Sequence, residues 1–180
     1  MAVLIRPAGP ADAEAIAAIY RPYVEGSRIS FEEQAPDAAE IMRRMSSPLH
    51  PWLIAEEDER LLGFASSSPF RTRRAYRWVV ESGIYLVPEA KGRGIGRALL
   101  SKLVELLERQ GYVAVIGAIA LPNDASVALH ERLGFVHTGT YREVGFKLGE
   151  WIDVGLWQRD LAPRTSAPEE PLTVAALGPL

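Results

Sequence analysis

The chain has no cysteine among its 180 residues, which excludes disulfide bridges, thiolate metal sites and a cysteine nucleophile. Its three histidines, His50, His130 and His137, are too scattered for a metal-ligand spacing, so no metal is expected. No apolar run approaches the ~20 residues of a membrane helix, and the N-terminal stretch lacks the apolar region of an export signal. Nor are basic residues in excess: 20 Lys and Arg stand against 23 Asp and Glu, a net charge of −3. That balance argues against a general nucleic-acid surface. The one local cationic cluster is Arg71, Arg73, Arg74 and Arg77. These absences leave a soluble, cytoplasmic protein, with neither nucleic acid nor membrane as partner. With 48% hydrophobic residues it is expected to be one domain with a sizeable core.

What the chain does contain is the run Lys91-Gly92-Arg93-Gly94-Ile95-Gly96-Arg97, placed between a strand-like stretch, 82–87, and a helical one, 98–107. Alternate glycines let successive backbone N–H groups turn toward one point, and the following helix adds its positive end and its unpaired first-turn N–H groups. The result is a cradle for an anion, and a pyrophosphate fits it. The spacing is not that of a P-loop, because Arg97 stands where the second glycine would fall, and it fails the G-x-G-x-x-G dinucleotide fingerprint as well.

Periodicity supplies the remaining elements. Residues 3–6 read as a short strand, and Pro10-Ala11-Asp12 opens a helix whose apolar positions Ala15, Ile16, Ile19, Tyr20 and Tyr23 keep helical spacing until Gly26-Ser27. Pro36-Asp37 starts a second helix, 38–45. Residues 52–56 and 61–66 flank a polar turn, as in a hairpin. A long strand is expected at 76–87, a helix to Gln110, and at 112–119 a near-continuous apolar strand buried on both faces. Pro122-Asn123-Asp124 caps a helix to Leu133, and strands at 136–142 and 151–160 close the pattern. The class is α/β.

The glycine run resembles the Gln/Arg-x-x-Gly-x-Gly/Ala loop of the GNAT acyltransferases, with Lys91 at the position where Gln or Arg is usual. The element order is also that of the GNAT fold, a mixed, mostly antiparallel twisted sheet with four helices and a splayed central strand pair. Within the family, four stretches (73–82, the glycine run, 119–131 and 145–158) look like the phosphinothricin and methionine-sulfoximine N-acetyltransferase branch. The resemblance as a whole covers the chain from about Arg6 to Leu161. Residues 1–161 are therefore expected to form the acetyltransferase domain. Residues 162–180, with Pro163, Pro168, Pro171 and Pro179, are expected to be a flexible tail.

The resemblance implies transfer of an acetyl group from acetyl-CoA to the amine of a small amino-acid analogue. The pyrophosphate would lie on the backbone of Gly92, Arg93, Gly94, Ile95, Gly96 and Arg97. Ile84, Tyr85 and Leu86 would offer backbone N–H groups to the pantetheine and the thioester carbonyl, with Asn123 bonding the same arm while capping its helix. Glu81 is the implied general base, and partial burial would raise its pKa toward a useful range. His130, seven residues after Asn123 where many GNATs carry Tyr, would give a proton to the leaving thiolate or relay one with Glu81. Phe31, Arg73 and Tyr76 are the expected substrate contacts, since a bidentate guanidinium suits an acidic tetrahedral group. Arg71, Arg74 and Arg77 read as solvated loop charges. Trp78, Trp151 and Trp157 read as core or subunit contacts. A homodimer is implied, in which Lys147 and Trp151 complete the pocket of the partner subunit. Two other readings stay open: a GNAT acting on another amine, such as a peptide N-terminus or polyamine, and a non-catalytic acyl-CoA sensor. Glu81 with His130 speaks against the sensor, and Arg73-Arg74 against a polycation.

Overall fold

Each element owes its place to the pattern of its residues. In the computed structural model, which describes residues 3–178, the order is β1 (Leu4–Pro7), α1 (Ala13–Glu25), α2 (Ala38–Met45), β2 (Trp52–Glu57), β3 (Arg60–Pro69), β4 (Val79–Leu86), α3 (Ile95–Gln110), β5 (Ala114–Ala120), α4 (Asp124–Arg132), β6 (Val136–Lys147) and β7 (Glu150–Asp160). Met1, Ala2, Pro179 and Leu180, which the domain and tail expectations included, lie outside the described residues. The expected succession of strands and helices is the one found.

The strands form one seven-stranded sheet in the order β1-β2-β3-β4-β5-β7-β6. Every pairing is antiparallel except β4 with β5. α3 packs a fully buried stripe, Leu99, Leu100, Leu103, Leu106 and Leu107, on one face, where α4 joins it through Val127 and Leu129. α1 and α2 cover the other face with a smaller cluster in which Ile16, Tyr20 and Ile41 meet Ile54 and Phe64. β5 passes between these layers, and Ala114, Val115, Ile116 and Gly117 are all buried.

Three departures from the sequence reading have local causes. The strand expected from Tyr76 begins at Val79, because the arginine-rich stretch before it has no alternating apolar face to bury. It turns instead through a 3-10 helix, Arg74–Tyr76. β6 runs on to Lys147 rather than ending near Arg142, accommodating register shifts at His137/Gly139 and Tyr141/Gly145. Leu148 (φ 52°) and Gly149 (φ 81°) then make the tight turn into β7. Of the stretch after Ala162, expected to be flexible, the part around Glu169 and Leu172 is bonded to the body of the domain. Glu169 O accepts from Trp78 Nε1 at 2.8 Å, and Gln110 exchanges bonds with Leu172, N–H to backbone O at 2.8 Å and Nε2 to O at 2.7 Å.

Candidate active site

The β4–β5 pairing is brief, running only from Val79 opposite Ala114 to Glu81 opposite Ile116. Beyond Glu81 the strands part. Which backbone groups line the gap follows from alternation in the β3–β4 ladder. Val87 N–H bonds Leu62 O at 3.0 Å. The β3-facing residues of β4 are therefore Tyr85, opposite Phe64, and Gly83, opposite Ser66. The amides of Ile84 and Leu86 consequently turn to the open side. Tyr85, expected to share that role, instead pairs its backbone with β3. Its ring joins Tyr20 at 4.6 Å, Tyr23 at 5.1 Å and Phe64 at 5.3 Å between centroids. Tyr23 donates its hydroxyl to Leu86 O at 2.6 Å.

The glycine run leads from the end of β4 into α3. Gly92 (φ 77°) and Gly94 (φ 80°) are left-handed, and nothing lies within 4 Å of where a Cβ would stand on either. Conformation, not space, requires glycine at both positions. The first bond of the helix is Ala98 N–H to Gly94 O at 3.1 Å, so the N–H groups of Ile95, Gly96 and Arg97 precede the helical ladder and face the positive end of the helix dipole. Gly96 lets α3 sit close on β4, since a Cβ there would lie 3.3 Å from Leu86 Cδ1. The Arg93 guanidinium is bound to Glu57 at 2.8 Å, leaving its backbone as the part available to an anion.

A cleft of about 640 Å³ occupies the α1/α2 face at this point and reaches α4 through the gap. Glu81, Gly83, Tyr20, Trp52, Phe64, Ser66, Ser68, Ile29 and Glu32 line it from one side, and Asn123, Ser126 and His130 from the other. Burial pushes the Glu81 carboxyl above its usual range, an effect that the charge of Arg71 partly opposes. His130 is only 3% exposed. Its Nδ1 stands 2.8 Å from Ser126 O, which can only accept, so Nδ1 carries the hydrogen and Nε2 the lone pair. Among the described residues Nε2 has no hydrogen-bond partner. Burial holds the His130 pKa below the ordinary histidine value despite that bond. Gly117 is what admits the ring, because a Cβ there would lie 2.7 Å from Nε2. Asn123 Oδ1 accepts from Ser126 N–H at 3.2 Å and so caps α4, leaving its amide hydrogens for the cleft.

The three expected substrate residues do not line this cleft. Phe31 lies against Gly145 of β6, Arg73 caps the 3-10 turn, and Tyr76 packs edge-on to Phe70. All three are exposed. The arginine nearest in effect to Glu81 is Arg71, read from sequence as a solvated charge. A second carboxylate, Glu32, was not foreseen at all. It accepts from Arg44 at 2.8 and 3.0 Å and from Tyr20 Oη at 3.0 Å, which keeps its pKa low. Helical spacing marked Tyr20 as apolar and gave no sign of this network. Lys147, expected at a partner's pocket, is bound within its own chain to three backbone carbonyls. Trp157 is buried and donates to Glu131, whereas Trp151 is exposed beside Phe146. Among the described residues no group of three or more acidic or histidine side chains could hold a metal ion, and no helix is long and apolar enough to cross a membrane.

An open sheet that splays beside a left-handed glycine loop and a helix start is the architecture of an acyl-CoA-handling transferase. The chain belongs to the acetyltransferase (GNAT) family, whose model matches residues 14–135. It is 41% identical to the phosphinothricin N-acetyltransferase of Streptomyces viridochromogenes over 175 residues, covering 95% of each chain. It is 35% identical to the L-methionine sulfoximine/L-methionine sulfone acetyltransferase of Pseudomonas paraeruginosa over 172 residues, covering 93% of this chain and all of that one. Its fold superimposes with a TM-score of 0.88 on the crystal structure of a phosphinothricin acetyltransferase from Sinorhizobium meliloti in complex with acetyl-CoA. That protein is 39% identical, with 96% of each chain covered.

Proposed function

We propose that the protein moves the acetyl group of acetyl-CoA to the α-amino group of a small amino-acid analogue of the phosphinothricin, methionine sulfoximine or methionine sulfone kind. The observation that carries this reading is Glu81. It is a carboxylate whose affinity for a proton is raised by burial, at the last position of β4 paired with β5, where the cleft meets the gap. The cleft has the volume of a small-molecule site.

Acetyl-CoA supplies an activated thioester, and the features of the chain fit it. The freed N–H groups of Ile95, Gly96 and Arg97, with the turn through Gly92 to Gly94, would hold the pyrophosphate. Ile84, Leu86 and Asn123 would hold the pantetheine arm in the gap. Glu81 takes the proton from the acceptor ammonium, directly or through water, and so exposes the nitrogen lone pair. His130 stays neutral at physiological pH with its lone pair on Nε2, which suits it to accept and relay a proton rather than to donate one at rest. The acceptor's acidic group would be met by the 70–77 loop, where Arg71 already acts on Glu81 and Arg73 and Tyr76 are exposed, with Phe31 exposed on the 26–37 loop. A homodimer belongs to the same reading. Phe146, Leu148 and Trp151 leave an exposed apolar patch on the β6–β7 hairpin. The enzyme is read as cytoplasmic, without nucleic-acid or membrane partners.

The test is turnover with acetyl-CoA across phosphinothricin, methionine sulfoximine and methionine sulfone, beside a peptide with a free N-terminus and a polyamine. The amino-acid analogues should be acetylated with the highest kcat/KM. Preference for the peptide or polyamine would replace the acceptor, and CoA binding without any turnover would leave a sensor.

A further inference from the structure

The acceptor side of the cleft is walled by a loop, 26–37, that lacks regular structure yet contributes Ile29 and Glu32 to the lining. Its course is fixed from a distant part of the chain. Lys147, at the end of β6, places its three ammonium hydrogens on Val24 O (2.5 Å), Ser30 O (2.5 Å) and Glu32 O (2.8 Å). A lysine has three donors, and all three are used. The carbonyls belong to the C-terminal turn of α1 and to the loop itself, so one ammonium ties both to the sheet edge. Glu32 and Glu33 supply the neighbouring negative charge. Two residues earlier on β6, Gly145 receives the Phe31 ring so closely that a Cβ would collide with it. Arg28, on the same loop, pairs with Glu150 at the start of β7 and so adds a second tie from the loop to the hairpin.

We infer that Lys147 is a positioning residue for the acceptor: it holds loop 26–37 in the shape that seats Ile29 and Glu32 in the cleft, and thereby sets acceptor affinity without touching acetyl-CoA. This rests on the reading of that cleft as the acceptor site. Tyr20 and Arg44 still hold the side chains of Ser30 and Glu32, but the loop has no backbone ladder to replace the lost bonds, so removing the ammonium loosens its main chain at Ser30 and Glu32 and its junction with α1 at Val24.

Lys147→Met keeps the length of the side chain and removes every donor. In the full-length enzyme it should raise the KM for whichever amino-acid analogue the wild type acetylates by about tenfold, with kcat and the KM for acetyl-CoA near wild type. Amide exchange over residues 26–32 should quicken in parallel. Lys147→Gln, which keeps only a shorter donor, should give the same split in weaker form, and it carries the test if Lys147→Met does not fold. An unchanged acceptor KM in the folded variants, an equal rise in both KM values, or unaltered exchange in the loop would overturn the inference. A wild type that acetylates none of the analogues would instead sink the acceptor reading, and the exchange measurement would still decide whether Lys147 is the pin.

Discussion

On the α3 and α4 face of the sheet the core side chains are almost wholly apolar, and apart from Asn123, Ser126 and His130 at α4 the groups left for a ligand are backbone amides: the gap at Ile84 and Leu86 and the first turn of α3. On the α1 and α2 face the core is smaller and aromatic. There the groups that meet the cleft are side chains tied into networks, Tyr20 with Ser30, Glu32 and Arg44 among them. The difference follows from what each side must recognise. A pyrophosphate and a pantetheine amide present the same groups in every turnover, and main-chain geometry, with the one side chain of Asn123, suits them. An acceptor is told from its analogues by a few polar atoms, and only side chains distinguish those. Backbone recognition leaves a spacing that one sequence displays. Side-chain recognition here depends on contacts between residues as far apart as Val24 and Lys147.

Glu81 stands where the two faces join, and its loss should have the largest effect. Glu81→Gln keeps size and hydrogen-bonding reach but cannot accept the proton, so kcat should fall on the order of 10²–10⁴-fold. Because burial raises the Glu81 pKa, the wild-type rate should climb with pH until the carboxyl is ionised and then level off. The variant should lose that limb and regain part of its rate only as free amine accumulates at higher pH. Wild-type turnover in a folded Glu81→Gln enzyme would move the base to His130 or to water.

The next effect isolates the backbone face. Gly94 has φ 80° and open space around it, so Gly94→Val meets no collision but forces a β-branched residue into the left-handed region. That conformation costs about 1–2 kcal/mol, enough for roughly a tenfold loss if the loop shifts to relieve it. CoA affinity by calorimetry should drop while the acceptor KM holds. Undiminished CoA affinity in folded protein would show that the loop is no cradle.

The same contrast governs what the sequence displayed. Period and punctuation were enough for the element order, because α3 has its leucine stripe and its glycines at either end, and β5 has its apolar run. Glu81, His130 and Asn123 carried local motifs, and the structure brings all three to one cleft. Arg73 and Tyr76 carried motif support too, yet with Phe31 they are exposed and absent from the lining, and for the first two the 3-10 turn at Arg74–Tyr76 sets where the loop's side chains go. A row of arginines does not reveal such a turn. Glu32 and Lys147 are half-buried charges whose partners lie far away in sequence, and no local pattern announces them. The tail was read from its prolines, whereas its course depends on Gln110 and Trp78, donors that stand on α3 and just before β4.

The smallest expected effect sharpens the choice between two arginines of that loop. Arg71 is the charge that opposes the raised Glu81 pKa, although its own side chain is exposed and rests over the Phe70 ring at 4.3 Å. Removing it in Arg71→Met takes away a force that lowers the Glu81 pKa. The acid limb of the rate profile should therefore move to higher pH, though only slightly, because the charge is open to solvent. Salt already screens Arg71 in the wild type, so the gap between the two profiles should narrow as ionic strength rises toward 1 M, where the Debye length is about 3 Å. Arg73→Met should leave the limb in place and change only the acceptor KM. A shift of the limb by Arg73 and none by Arg71 would reverse their roles and would bring Arg73 into the cleft when acceptor binds.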